Sequence, residues 1–201
     1  MKKKYIAMGR EFGSGGRTIG KAVAQRLGLK YYDEELLHKI ADYASYEVEF
    51  VRQMDDTYSP GRNRLSYYLA GRDSRGQSVN DYLFQAECKA IREIASGQPS
   101  LIVGRCSDYL LGDREDVLTV FIHADKDWRA ARILEQYGET RTPIMKRIQE
   151  KDTRRRANYN YHTGREWGKV SNYDLCLNSS RLGIETCVDV ICRVFQETEE
   201  Q

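Results

Sequence analysis

Residues 4–21 read K-Y-I-A-M-G-R-E-F-G-S-G-G-R-T-I-G-K, and the rest of the chain is arranged around them. Tyr5, Ile6, Ala7 and Met8 form a short apolar run of the kind a buried strand needs. Gly9, Gly13, Gly15 and Gly16 follow, closed by Arg17 and Thr18. Ile19, Ala22, Val23 and Leu27 then recur at spacings of three and four, which predicts one face of a helix. Strand, glycine loop, helix is the layout of a phosphate cradle. Bare glycines let successive backbone N–H groups converge on an anion, and the helix N-terminus adds partial positive charge.

The pattern G-x-x-x-x-G-K-[ST] is met in part. Gly16 supplies the second glycine and Thr18 the hydroxyl, a Mg²⁺ ligand in that pattern. Glu11 stands in the place of the first glycine and Arg17 in that of the lysine. Arginine keeps the charge and adds a bidentate grip, but is flatter and bulkier than lysine. The loop therefore assigns Gly13, Ser14, Gly15, Gly16, Arg17 and Thr18 to the phosphates of a nucleotide.

The 201 residues are expected to form a single domain with one or two insertions. Thirty-two basic against 30 acidic side chains leave almost no net field, which argues against a protein that coats nucleic acid. Five scattered cysteines without a C-x-x-C pair suit a reducing cytoplasm and read as small buried hydrophobes. The apolar run after the basic start is too short for a secretory signal, and no membrane partner is expected.

Further along, Gly28 stops the first helix, 29–32 is a short extended piece, and Asp33 stands where it would cap a helix carrying Leu36, Leu37, Ile40, Ala41 and Ala44. A polar helix spans about 47–55. Residues 56–79, rich in Gly, Ser, Arg and Tyr, read as a surface insertion in which Arg62, Arg64, Arg72 and Arg75 are candidate anion ligands. A helix through Leu83 and Ile94 leads to strand 100–103 and Gly104-Arg105; another strand covers 117–122. Asp125 is placed to cap a helix, Thr142-Pro143 to start the next one, and 173–177 to form a last strand before a clean amphipathic helix. Between Arg141 and Lys169 nine basic residues face three acidic ones, an arginine-rich segment suited to a lid. Strands alternating with helices predict a parallel sheet with helices on both faces, and ligands gathered at the strands' carboxyl ends. A phosphate cradle and mobile arginines together point to phosphoryl transfer, with Arg17, Arg132, Arg154 and Arg155 as the catalytic candidates. The three histidines have no metal-ligand spacing and read as structural or surface groups. Asp108 and Asp125 are equally placed to assist Mg²⁺.

These segments, G-R-E-F-G-S-G-G-R-T-I-G, Y-Y-D-E-E-L-L, I-V-G-R and Y-H-T-G-R-E-W-G-K-V-S-N-Y-D-L-C-L-N-S-S, resemble the cytidylate kinase-like family of P-loop nucleoside monophosphate kinases. The resemblance spans nearly the whole chain. It implies a three-layer α/β P-loop kinase fold with a parallel sheet, a helical acceptor-binding insertion at about 33–80 and an arginine-rich lid at about 139–169. It implies ATP and Mg²⁺, and a monophosphate acceptor, CMP or dCMP first. Asp33 and Lys39 resemble acceptor contacts, Gly104-Arg105 the acceptor-phosphate grip, and Lys151-Asp152 the start of the lid motif. Arg155 and Asn158 stand where cytidylate kinases carry an aspartate and an arginine, which weakens the expectation of strict cytosine selectivity. Two rivals remain: a nucleotide-binding regulatory module with little turnover, and an RNA-binding protein using the Arg/Tyr-rich segments, which the near-neutral charge disfavours. Oligomeric state is left open.

Overall fold

The computed structural model describes residues 3–57 and 78–197. Residues 58–77 of the surface insertion read at 56–79, with Arg62, Arg64, Arg72 and Arg75, lie outside the described residues. Five parallel strands form one sheet: β1 (Tyr5–Arg10), β2 (Lys30–Tyr32), β3 (Ser100–Val103), β4 (Val117–His123) and β5 (Leu175–Asn178), in the order β2-β3-β1-β4-β5. Central β1 is paired on both sides, Ala7 standing level with Ile102 of β3 and with Thr119 of β4.

Alternation along the strands divides the core in two, because successive side chains point to opposite faces. Tyr5, Ala7 and Ile102 pack with apolar residues of α2 (Glu34–Ala44), α3 (Val48–Thr57) and α4 (Val79–Ile94). Ile6, Met8, Leu101 and Val103 pack on the other face with α1 (Gly16–Leu27) and the C-terminal helix α9 (Ile184–Glu197). Between them come α5 (Ser107–Leu111), α6 (Lys126–Tyr137), α7 (Ile144–Thr163), a 3₁₀ turn at Val170–Asn172 and α8 (Ser179–Leu182). This is the expected three-layer α/β arrangement. Chain direction from β1 splits between β2 and β4, so the switch point that collects ligands lies at the carboxyl end of β1.

Local chemistry moves several expected boundaries. Gly28 closes α1 in a left-handed conformation, its N–H donating to Ala24 and Gln25 carbonyls. Pro143, not Thr142, occupies the N-cap position of α7 and makes no side-chain cap bond, so α7 starts at Ile144. β5 begins at Leu175 rather than Tyr173. There the Asp174 carboxylate accepts from the Thr119 N–H at 2.8 Å and its hydroxyl at 2.9 Å, replacing a ladder carbonyl with a side chain. Asp33 and Asp125 stand at the N-cap positions of α2 and α6 but form no cap bonds. Asp125 instead pairs with Arg181 at 3.1 Å. Among the described residues, no helix is long and apolar enough to cross a membrane.

Candidate active site

The glycine loop leaves the end of β1 and opens α1 as the sequence requires. Gly15 holds φ 79°, and a Cβ there would stand 2.5 Å from Ile184 Cδ1, so only glycine fits. Ser14 is fully buried, its hydroxyl donating to the Glu11 carbonyl at 3.0 Å, while Ser179 Oγ donates to the Ser14 carbonyl at 2.6 Å. The first N–H groups of α1, beginning at Gly16, are those a helix cannot satisfy internally. Thr18 is exposed, and its Oγ1 accepts from Arg132 Nη2 at 2.8 Å.

Glu11, in the place of the first glycine, has a structural task. Its Oε2 accepts from the Ala124 N–H at 3.0 Å and lies 3.6 Å from Arg129 Nε. Arg129 is 2% exposed and donates to Asp152 Oδ2 at 2.6 Å and to the Phe12 carbonyl at 3.2 Å. Asp152 Oδ1 in turn accepts from the Phe12 N–H at 2.8 Å. Asp152, expected at the acceptor, is thus buried as a peg that docks α7 on the phosphate loop.

Beside the loop opens a cleft of about 360 Å³. Its wall includes Arg10, Arg17, Asp33, Arg105, Lys151, Arg154, Arg155 and Asn158, brought from the ends of β1, β2 and β3 and from α1 and α7. Among the described residues, seven basic side chains line it against three acidic ones, a balance that favours anions. Asp33 is the meeting point on the β2 side: Arg17 Nε stands 2.7 Å from Oδ2 and Arg10 Nη2 3.6 Å from Oδ1. Arg155 Nη1 donates to the Arg10 carbonyl at 3.0 Å. Burial, and after it the Arg155 guanidinium, draws the Arg10 pKa down to about 9, and burial also lowers that of Arg155. These guanidiniums are kept close to one another in a poorly solvated place, the arrangement expected where a multiply charged anion is to be received.

On the β3 side, Arg105 has φ 59° and Cys106 φ 55°, an unfavourable left-handed pair for residues with side chains. The turn swings Arg105 over the cleft, where Nη1 pairs with buried Glu87. Lys39 is not in this group. It faces α4 and pairs with Glu93 at 2.8 Å outside the cleft. Asp108 also points elsewhere: it is buried, accepts from Tyr159 Oη at 2.7 Å, and is pushed up in pKa by burial. His162, expected to be structural or superficial, lines the cleft and stacks on Phe84 with ring centroids 3.9 Å apart. Burial lowers its pKa to about 4, so the ring is neutral near pH 7.

The sequence reading passed over Arg10, Glu87 and Arg129. Each left a signal. Glu87 interrupts the apolar stripe Leu83, Ala86, Ala90, Ile91, Ile94, and Arg129 shares the buried stripe of α6 with Ile133. A charge on a buried face requires a partner. Arg10 ends a wholly apolar strand immediately before the loop.

Residues 5–181 match the sequence profile described as "Cytidylate kinase-like family". No curated protein matches the sequence. Among solved structures, an uncharacterized protein from Eubacterium ventriosum superposes with TM-score 0.71 at 23% identity, over 96% of this chain and 99% of that one. Shikimate kinase from Acinetobacter baumannii, solved with shikimate, gives TM-score 0.56 at 10% identity over 99% and 96%. A gluconokinase from Sinorhizobium meliloti gives 0.53 at 15% over 99% and 97%. At such identities the likeness concerns the fold.

Proposed function

The chain belongs to the cytidylate kinase-like family, and from that premise we propose that it transfers the γ-phosphoryl group of ATP to a nucleoside monophosphate, CMP or dCMP being the first acceptors to try. One observation carries the reading: Arg17, which directly follows the glycine loop at the start of α1, lines one cleft with arginines drawn from β1, the turn after β3, and α7. In this reading residues 1–201 are one kinase domain, 33–80 its acceptor-binding insertion and 139–169 its lid.

The backbone N–H groups from Gly13 to Thr18 would hold the donor's terminal phosphates, with Arg17 supplying the charge that lysine brings elsewhere. Arg105, steadied by Glu87, would grip the acceptor phosphate. Asp33, Lys151 and Asn158 would border the acceptor's sugar and base. An acceptor oxygen attacks the γ-phosphorus, the bond from that phosphorus to the β–γ bridging oxygen breaks, and the electron pair leaves on ADP. Arg132, Arg154 and Arg155 would close over the charge that spreads during this step. Thr18 Oγ1, exposed and here accepting from Arg132, would hold Mg²⁺ once Arg132 turns to the phosphates, since that ion commonly keeps several waters and takes its other ligands from substrate phosphates. When bound, it supplies charge neutralisation on those phosphates.

A coupled ADP-release assay with ATP and Mg²⁺ against CMP, dCMP, UMP, AMP and GMP tests the proposal. Turnover with at least one monophosphate is expected, and with Arg155 and Asn158 in the base-reading places, discrimination among bases is expected to be loose. Absence of turnover with all five would overturn it. A second reading, a nucleotide-binding module with little turnover, is favoured by one feature: Arg17, in the lysine's place, is paired with Asp33 at 2.7 Å. ATP binding without ADP release would select it.

A further inference from the structure

Two glycines far apart in the chain are approached closely by a single side chain. A Cβ on Gly16 would stand 2.6 Å from Arg10 Cβ, and one on Gly104 would stand 1.9 Å from Arg10 Nη1. Gly16 is the last residue of the glycine loop and the first of α1. Gly104 begins the left-handed turn that delivers Arg105. Arg10 therefore reaches from the phosphate loop to the acceptor-side turn, across the ends of the paired strands β1 and β3. Its side chain is 15% exposed and forms part of the cleft wall.

Its surroundings do not satisfy it. Among the described residues the Arg10 guanidinium has one ion pair, the 3.6 Å approach to Asp33 Oδ1, and its Nε has no hydrogen-bond partner. Asp33 is held more closely by Arg17. A cation confined this way loses much of its hydration, and one loose counter-charge does not offset that loss. A planar fork with an unpartnered Nε, set in the wall of an anion-attracting cleft, has the chemistry for a phosphate.

We infer that Arg10 is a substrate-binding residue that grips the phosphate lying between the glycine loop and Arg105. A chain of phosphates is then held at one end by the loop's N–H groups and at the other by Arg10. The inference rests on the phosphoryl-transfer reading above and adds to it a residue outside the phosphate-loop pattern.

A chain-length comparison tests it. Pyrophosphate is short enough for the loop alone, whereas tetrapolyphosphate extends past Gly16 to Arg10. Isothermal titration of the full chain with both compounds should show the longer one binding wild type at least about 10-fold more tightly, on the scale of one charged hydrogen bond. Arg10→Met should lose that gain, about 10- to 100-fold, with pyrophosphate affinity nearly unchanged. Arg10→Lys keeps the charge without the fork and should retain only part of the gain; it carries the test if circular dichroism shows Arg10→Met unfolded. Full retention of the gain in a folded variant, or no gain in wild type, overturns the role of Arg10 alone. Failure of wild type to bind pyrophosphate overturns the phosphate-loop reading and the inference with it.

Discussion

Asp33 condenses the logic of the site into one carboxylate. It follows a strand and precedes a helix, which in sequence is a capping position, yet its oxygens face Arg17 and Arg10 instead of the α2 N–H groups. The reason is electrostatic: a charged acceptor beside two guanidiniums gains more than one capping a helix end. Arg155 belongs to the same group, and its bond to the Arg10 carbonyl ties α7 to the end of β1. Groups that meet charge only as it develops act on turnover more than on binding. Arg155→Ala is therefore expected to lower kcat about 10²-fold while leaving the Kd for ATP within a few-fold, the scale for losing one preorganised donor. Steady-state kinetics beside a direct ATP titration decide this; equal losses in kcat and in ATP affinity would make Arg155 a binding group only.

At the scale of elements, α7 carries the interest. Its apolar face is thin, with Ile148 and Tyr159 as its buried hydrophobics, so polar pegs hold it: Asp152 on Arg129 and Phe12, Tyr159 on Asp108, His162 on Phe84. Asp152→Ala leaves Arg129 buried beside Glu11 as its remaining carboxylate neighbour, and should cost about 3–5 kcal/mol in urea unfolding, as for other buried pairs that lose one member. A loss near zero would mean that α7 docks by other means. His162 makes the docking acid-sensitive. Its folded pKa of about 4 lies below the ordinary 6.5, so the unfolded chain binds the proton more readily. Stability from this group is complete above pH 6.5 and is lost as pH falls towards 4. Thermal melts of wild type and His162→Phe at pH 7 and pH 5 should show a smaller acid-induced drop in the variant. Equal drops would show that His162 is not a contributor.

For the whole molecule, α7 is bonded to the glycine loop through Asp152 and lines the cleft beside it, so ligand occupancy should register as global stability. ATP with Mg²⁺ at 100 times its Kd should add about 2.7 kcal/mol, by mass action on the folded state. Arg17→Ala should remove most of this shift while leaving the unliganded melting temperature little changed, because Arg17 is 53% exposed and its pairing with Asp33 is consequently screened. Differential scanning fluorimetry reads both quantities. A wild type indifferent to millimolar ATP would reduce the glycine loop to a turn.

The order of strands and helices, the glycine loop and its place at a strand end were legible along the chain, because each rests on local rules. An apolar run, bare glycines and a 3.6-residue period need no distant partner to be read. Arg105 was legible for the same reason, following its strand directly. The assembly of the cleft wall was not. Between Arg10 and Gly104 the described chain runs through β2, β3 and the four helices α1 to α4, and only strand pairing of β1 with β3 puts the Arg10 guanidinium against that glycine. Asp152, Glu87 and Lys39 show the same limit. Their charges were visible in sequence, but their partners Arg129, Arg105 and Glu93 were assigned by packing of one helix against another element. A charge reveals that it needs a counter-charge; which one it finds depends on distances that exist only once the sheet has brought the segments together.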